Sequence, residues 1–595
     1  MGESRFNKDL IASTFIVLAV MIVTAVFGDY FFDLNDDVLM KDILSGAYLG
    51  APEGHNIQML YPISFLLSCL YRIGTKLDWY GIFLCLCQFL CVFLIILRSM
   101  KLAGDIRRKV FLVASEIAIF LGFFGPHLLF VQYTVVCGLL SGTAAFLILT
   151  CDKLDLSSGI VPACFLVIAY QIRSEMLLLT LPMVLVAVLI KWVMLGHDKK
   201  NFISYAKLCL IVAAGLLASL LIHKIGYSSE EWKEFNRFFD NRTELYDFQY
   251  IPDYAENKEF YDSIGLSESE QQLLINYNFA LDDEINADML GTIAEYAARL
   301  RGEEQGLISK LFGSLGQYKY RLHHIAKPKS YEYPMTDYPW NVGMVVLYLF
   351  AAVSFFVTDK ENKVEGQKKR FIYGLLLLVV LFACRTTLWL YIIARGRDPI
   401  RITHPLYLIE ILILIGMIIM NDKKGGKFML IATAIISLIG IISLPMQGAV
   451  INRENTLRAE MLDKYNALYT YFGENPDNYY LIDVYTSVSY ADTTDQETVP
   501  CSEKMFANVN NNFCNHDILG GWASKSPIYR GKLEKAGFDC VEKALLADNV
   551  YLVQTIEKDT EWIRNYYLEK STEIDLEQID TVAGVFAIYR LEGMK

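Results

Sequence analysis

Gly28-Asp29-Tyr30-Phe31-Phe32-Asp33-Leu34-Asn35-Asp36-Asp37-Val38-Leu39-Met40-Lys41-Asp42-Ile43-Leu44-Ser45-Gly46 follows directly on an apolar run at 9–27. About 20 apolar residues cross a bilayer as a helix. The chain therefore leaves the membrane here and turns polar at once. Asn35 or Asp36 is placed to cap a helix through 37–45. Val38, Leu39, Ile43 and Leu44 give that helix one apolar stripe, so it is expected to lie on the membrane surface. Asp36 and Asp37 then stand at the interface beside the end of the first span. Paired carboxylates suit general-base chemistry, because repulsion raises one pKa and the ionised partner orients the proton acceptor. A helix cap with ordinary solvated charge is the plainer reading of the same residues.

Working outward, the chain has 595 residues, 54% of them hydrophobic, with a mean hydropathy of +0.32. Its charge is segregated. Residues 226–339 and 450–595 each carry a net −10, and the remainder carries +8. About twelve apolar segments are candidate spans: 9–27, 57–73, 79–98, 109–126, 131–150, 158–171, 174–194, 205–225, 341–358, 371–393, 404–420 and 428–448. Arg5 and Lys8 precede the first, as in a signal peptide, but the many later spans make it an uncleaved anchor. Basic residues gather at 98–109, 191–200, 359–370 and 423–427. Held on the cytoplasmic side, they put the N-terminus inside and both acidic blocks outside. That arrangement needs an odd number of crossings, so 57–73 is expected to be short, broken or re-entrant, leaving about eleven.

Both acidic blocks read as folded. Residues 226–340 carry Trp232, Phe235, Phe238, Phe239, Tyr246, Tyr250, Tyr254 and Tyr261, with helical spacing at 267–277 and 288–301. In the tail, 479–484, 550–553 and 585–589 read as strands, and 456–472, 527–536 and 558–568 as helices. The expected organisation is an α-helical polytopic membrane protein in four parts. These are a transmembrane module at 1–225 with its first outer loop at 28–56, a helical loop at 226–340, further transmembrane helices at 341–448, and an α/β domain at 449–595.

A first span followed by an outer loop with an acidic pair and an amphipathic helix resembles the GT-C superfamily of membrane glycosyltransferases. Pro52-Glu53-Gly54-His55 and the later Asp78-Trp79-Tyr80 are similar to a bacterial subgroup linked to surface polysaccharides. The resemblance implies a sugar donor on a polyprenyl-phosphate carrier and a catalytic Asp in the first outer loop, here Asp36 or Asp37. It also implies a multi-pass inner membrane location. A divalent ion at Asp36 or Asp37 would accord with some relatives, but no His, Asp and Glu spacing requires a metal or other cofactor.

A second constellation is Ala394-Arg395-Gly396-Arg397-Asp398-Pro399-Ile400-Arg401-Ile402-Thr403-His404-Pro405, outside between two late spans. Arginines clustered at an interface suit a phosphate, because guanidinium makes bidentate, permanently charged contacts. Anchoring in lipid headgroups is the alternative. The Gly-Arg-x-Pro-x-Arg element also resembles the same subgroup, which implies that Arg397 and Arg401, with Arg395, meet the carrier phosphate. Within the spans lie Glu116, Arg385 and Glu410; Arg385 and Glu410 form a candidate pair, for substrate or for locking the bundle. Arg173 and Glu175 interrupt 158–194 at an outer turn and either face the same cavity or mark that turn. His55 and His404 are further candidate substrate contacts.

Most of the twelve cysteines lie in apolar runs as small hydrophobes. Cys501, Cys514 and Cys540 allow at most one disulfide in the tail. There is no Walker loop and no GxGxxG between strand and helix, and the acidic soluble blocks argue against nucleic acid. The expected partners are a lipid-linked sugar donor, a glycan or lipid-linked acceptor, and membrane lipid. A flippase, a polysaccharide polymerase or ligase, and an anchor presenting the tail are the competing classes. Inverted halves with broken helices would mark the flippase, and none are visible.

Overall fold

Hydrophobic length sorts the helices in the computed structural model, which describes residues 2–74, 76–103, 105–153, 155–195, 199–304, 307–325, 337–355, 364–421, 427–490, 500–507 and 514–594. The chain opens with α1 (Gly2–Phe27), β1 (Phe31–Phe32), α2 (Asn35–Ser45), α3 (Tyr61–Ile73) and α4 (Trp79–Leu102). The next apolar stretch is α5 (Ile106–Ile119) and α6 (Gly125–Leu129), joined by a π turn. β2 (Phe130–Val131), α7 (Tyr133–Thr150), α8 (Leu156–Ile172), α9 (Ser174–Met194) and α10 (Lys199–Gly226) follow. Then come α11 (Glu230–Thr243), α12 (Lys258–Ile264), α13 (Glu268–Ile275), α14 (Ala287–Glu304) and α15 (Leu307–His323). The last membrane helices are α16 (Trp340–Ser354), α17 (Val364–Ala394), α18 (Ile400–Asn421) and α19 (Lys427–Glu474).

Among the described residues, nine helical stretches are long and apolar enough to cross a membrane, and α8 and α16 are shorter apolar helices. Helix α3 has 13 residues, roughly 20 Å at 1.5 Å per residue, against a hydrocarbon core of about 30 Å. The segment at 57–73 is therefore short for a span, as expected, and the nine long stretches with α8 and α16 make eleven other apolar helices among the described residues. The expected basic loops fall partly on residues 196–198, 359–363 and 423–426, which lie outside the described residues; no side chains are described for 199–201, 364–370 and 427. Of the basic residues described there, Lys109 pairs with Asp9 and Lys191 reaches the carbonyl of Leu149 at 2.7 Å, both at the end of the bundle opposite α2.

Helix α7 is buried around nearly its whole circumference and forms the centre of the bundle. Close approach is by small residues. A Cβ on Gly138 would lie 2.3 Å from Cβ of Pro405 on α18, and one on Gly122 would lie 2.2 Å from the carbonyl oxygen of Gly440 on α19. Such crossings let helix backbones meet where lipid gives no hydrophobic drive. By contrast, most residues of the α1 and α10 spans are exposed on the outside of the bundle, as lipid-facing helices should be.

The tail forms a five-stranded sheet of β3 (Tyr479–Ile482), β4 (His516–Ile518), β5 (Val550–Thr555), β6 (Ile574–Val582) and β7 (Phe586–Gly593). Its order is β4-β3-β5-β7-β6, parallel among the first three and antiparallel for β7 with β5 and β6. Helices α20 (Val484–Val488), α21 (Pro527–Lys535), α22 (Val541–Ala544) and α23 (Glu561–Glu569) connect the strands. Sequence reading did not find β4 or β6. The first is three residues long, and the second is mostly exposed, so neither carries an apolar signature. The helix expected at 456–472 is the end of α19, whose Met461, Tyr465, Leu468 and Phe472 pack on Tyr480, Ile482, Phe586 and Ile588 of the sheet.

The helical loop and the tail form one roof. Asn278 donates to Asp483 at 2.7 Å and accepts from the amide of Val484 at 3.0 Å. Lys570 pairs with Glu270 and Asp282 at 2.8 and 3.0 Å. Gly520 is required at this joint, since a Cβ there would lie 1.7 Å from the carbonyl oxygen of Tyr277.

Candidate functional site

The loop after α1 is fixed by backbone pairing. Phe31 and Phe32 pair in parallel with Phe130 and Val131, and Phe31 also bridges antiparallel to Lys504 of the tail. The amide of Phe32 donates to the carbonyl of Glu503 at 3.1 Å, and that of Asp33 to Val131 at 2.9 Å. Arg458 of α19 then grips Asp33 at 2.9 Å. The first turn of α2 is thus held between the bundle and the tail. At its far end, Gly46 takes φ +89° and closes the helix through its amide to Asp42 at 3.1 Å. A Cβ there would lie 2.5 Å from the backbone of Ala51.

Two expectations for α2 need correction. The residue before the helix is Leu34 in an extended conformation, and no side chain caps the helix. Asp36 and Asp37 stand in the first turn, where carboxylates are favourable next to the helix dipole, but each is engaged elsewhere. Nor does α2 lie only on the membrane surface. Met40, Ile43 and Leu44 are fully buried, Lys41 and Asp42 are buried with them, and the tail covers the opposite face. Lys41 pairs with Asp42 at 2.9 Å and with Glu503 of the tail.

The two acids of the pair face different surroundings. Asp36 lines a cavity of about 440 Å³ and accepts from the indole N–H of Trp522 at 3.0 Å. Asp37 is fully buried beneath the helix, where Oδ1 accepts from the Tyr80 hydroxyl at 2.8 Å and Oδ2 has no hydrogen-bond partner. Burial pushes the Asp37 carboxyl well above the usual carboxylate range, against the hydrogen bond from Tyr80.

Five arginines line the same cavity as Asp36: Arg173, Arg242, Arg395, Arg397 and Arg401. They face three carboxylates, Asp36, Glu175 and Asp247, leaving a net charge of +2. Arg173, at the break between α8 and α9, binds Gln58 at 2.9 Å, the Tyr133 hydroxyl, and Glu175 at 3.2 Å. Arg397 pairs with Asp247 at 3.0 Å. Burial pulls Arg397 below its ordinary value, and repulsion from Arg401, Arg173 and Arg242 adds to this against the pull of Asp247. Arg395 lies over the Phe248 ring at 4.6 Å, and Arg401 has no hydrogen-bond or ion-pair partner among the described residues. Such a surplus of guanidinium in a cavity roofed by aromatic side chains is suited to a multiply charged oxyanion.

A buried clamp fixes the loop between α17 and α18 that carries Arg397. Arg321 of α15 binds Asp337 through two nitrogens at 2.9 and 2.6 Å, the Asp398 carbonyl at 2.6 Å and the Thr403 hydroxyl at 2.9 Å. Asp398 is thereby locked between Arg397 and Arg401.

The other sequence candidates lie elsewhere. Arg385 does pair with Glu410, at 2.7 Å, and also donates to Tyr318 at 2.6 Å; it is wholly buried among Trp389 and Tyr407, away from the cavity lining. His404 meets His127 at 2.8 Å between helices and does not line the cavity. His55 stacks on Trp232 at 4.8 Å and binds Glu53 at 2.7 Å and the Gly226 carbonyl at 3.0 Å, fastening the first loop to the end of α10. Glu116 is half-buried within its span and lines a separate apolar cavity among the membrane helices. Arg242, Asp247, Tyr133, Gln58 and Trp522 belong to the cavity but were not singled out from sequence. Arg242 and Asp247 sit among many charges of an acidic block. Trp522 follows two glycines far along the chain, and only the folded roof brings it to Asp36.

Among solved structures, ArnT from Cupriavidus metallidurans bound to undecaprenyl phosphate aligns over 97% of this chain and 97% of that one, with 10% identity and a TM-score of 0.36. No protein-family model matches the sequence, and no curated protein does.

Proposed function

We propose that this protein is a GT-C-type membrane glycosyltransferase. It transfers a sugar from a polyprenyl-phosphate-linked donor to a glycan or lipid-linked acceptor on the extracytoplasmic side. The observation that carries the reading is one cavity, at one end of an eleven-helix membrane bundle, holding both Asp36 and a surplus of arginine. The donor phosphate is bound by Arg397 and Arg401, with Arg395, Arg173 and Arg242 around it. The acceptor hydroxyl gives its proton to the Asp36 carboxylate as its oxygen bonds to the anomeric carbon. The bond from that carbon to the phosphate oxygen breaks, and the electron pair leaves with the phosphate. Arginines stabilise the charge that builds there. A single displacement of this kind inverts the anomeric centre.

Asp36, rather than Asp37, is the base in this scheme. Asp36 reaches the cavity, whereas Asp37 is enclosed with Tyr80 in surroundings that favour its neutral form. Asp37 instead supports the first turn of α2. No metal enters the scheme.

The test is sugar transfer in lipid nanodiscs with a panel of polyprenyl-phosphate sugars, for wild type, Asp36→Asn and Asp37→Asn. Asp36→Asn is expected to abolish transfer, by a factor on the order of 10² or more, while still binding undecaprenyl phosphate. Asp37→Asn should keep most activity. Full activity in Asp36→Asn would overturn the assignment of the base. Movement of the lipid-linked sugar across the bilayer without transfer would overturn the enzyme reading in favour of a flippase.

A further inference from the structure

A second cavity, of about 170 Å³, lies on the other side of Trp522. Its floor is the face of α2 that carries Asn35, Val38, Leu39 and Asp42, spaced as one side of a helix. Its roof is the tail. Ile482 is the last residue of β3 with Val484 just beyond it, and Ile518 is the last residue of β4 with Gly521 just beyond it, so the cavity sits at the carboxyl edge of the parallel strands. That edge is where open α/β sheets receive ligands.

The chemistry of this cavity is opposite to that of the first. Asp42, Glu503 and Asp517 face Lys532, and Lys41 pairs with Asp42 and Glu503 from behind. With both lysines counted, the group has a net charge of −1 when Glu503, which burial pushes up to about 7, is ionised, against +2 beside it. Burial pulls His516 well below its ordinary value, so it adds no charge. Tyr469, Tyr529 and Trp522 line the cavity together with these carboxylates, and His516 stacks on the Tyr469 ring at 5.2 Å. Aromatic side chains with carboxylate acceptors match the apolar faces and hydroxyl edges of a pyranose, and the one lysine in the lining, Lys532, is already paired with Asp517 at 3.3 Å. At about 30 Å³ per water, the volume holds roughly six waters, the scale of one sugar ring.

We infer that this second cavity binds the acceptor saccharide, and that it takes a neutral or amine-bearing sugar and excludes an acidic one. Trp522 is the wall shared by the two cavities and hydrogen-bonds to Asp36, so a saccharide in the second cavity is one indole away from the carboxylate. The word acceptor rests on the glycosyltransfer reading; the sugar-binding claim stands on the cavity.

The test uses the full chain in nanodiscs and three probes: the disaccharide of glucosamine, its N-acetylated counterpart, and the disaccharide of galacturonic acid. Binding is read by saturation-transfer NMR and titration calorimetry. Asn466→Trp fills the cavity from an exposed position on α19, and Asn466→Ala is its control. The uncharged or cationic probe should bind at least about tenfold more tightly than the acidic one, as like charge across an interface disfavours a partner. Asn466→Trp should weaken that binding about tenfold or more, with Asn466→Ala near wild type and undecaprenyl phosphate binding unchanged. Failure of all three probes to bind, preference for the acidic probe, or indifference to Asn466→Trp would overturn the inference. If the sugars bind as expected but undecaprenyl phosphate does not, the glycosyltransfer reading fails and the saccharide site remains.

Discussion

Replacing Arg321 by methionine removes one cation from between two carboxylates and keeps the length of the side chain. Arg321 is 3% exposed and Asp337 is wholly buried. Without the guanidinium, among the described residues Asp337 retains the Tyr407 hydroxyl at 3.3 Å, and Asp398 retains Gln317 at 2.8 Å. Removing one partner of a buried ion pair costs about 3–5 kcal/mol, because the remaining charge is stranded. Arg321→Met should therefore lose stability in that range, measured by denaturant titration in detergent micelles. Arg321→Met with Asp337→Leu should lose less than the single variant, since the stranded charge is gone. Because Asp398 lies between Arg397 and Arg401, the single variant should also raise the donor KM more than it lowers kcat. A loss under about 1 kcal/mol, the range of exposed pairs, or a double variant as weak as the two losses added, would refute the reasoning.

Burial pulls Lys525 of the tail down to about 8, so its charged form is disfavoured in the folded state. The penalty is absent above the unfolded pKa of about 10.4, grows as pH falls below it and is complete at about 8; as pH rises from about 8 to about 10.4, wild type should gain about 3 kcal/mol relative to Lys525→Met, read by pH-dependent unfolding. Arg401→Gln should leave the fold unchanged and raise the donor KM tenfold or more, as expected for about 1.5–3 kcal/mol of lost charged hydrogen bonding. Gly122→Leu, which drives a side chain into the backbone of Gly440, should cost about 1–3 kcal/mol and lower the unfolding midpoint in detergent.

The membrane plan was legible in sequence because a span declares itself locally. Twenty apolar residues in a row need no partner to be recognised, and charge bias pointed to 57–73 as a short segment, where the helix has 13 residues. Arg173, Arg395, Arg397 and Arg401 were visible for the same reason, as charges at span ends that ask for an explanation. What sequence did not reveal depends on long-range contact. Asp36 and Asp37 are neighbours with one composition, and only the packing of Tyr80 beneath one and Trp522 beside the other separates them. Arg385 and His404 look like site residues on the same grounds as Arg401, yet helix rotation turns them toward Glu410 and His127. The exposed strand β6 and the short β4 carry no periodicity to read, since their order comes from their neighbours in the sheet.

Helix α19 runs 48 residues, through Pro445, from the last apolar span into the core of the tail. At 1.5 Å per residue that is a rod of roughly 72 Å, more than twice the bilayer core of about 30 Å. A rod that long, anchored in lipid at one end, transmits tilt to the other. Hydrophobic mismatch tilts such helices at a cost of fractions of a kcal/mol per Å, and the tail rides on the far end. Membrane thickness is thereby expected to act as a mechanical input to the gap between the tail and α2, so changing acyl-chain length should alter the proposed site without touching any residue in it.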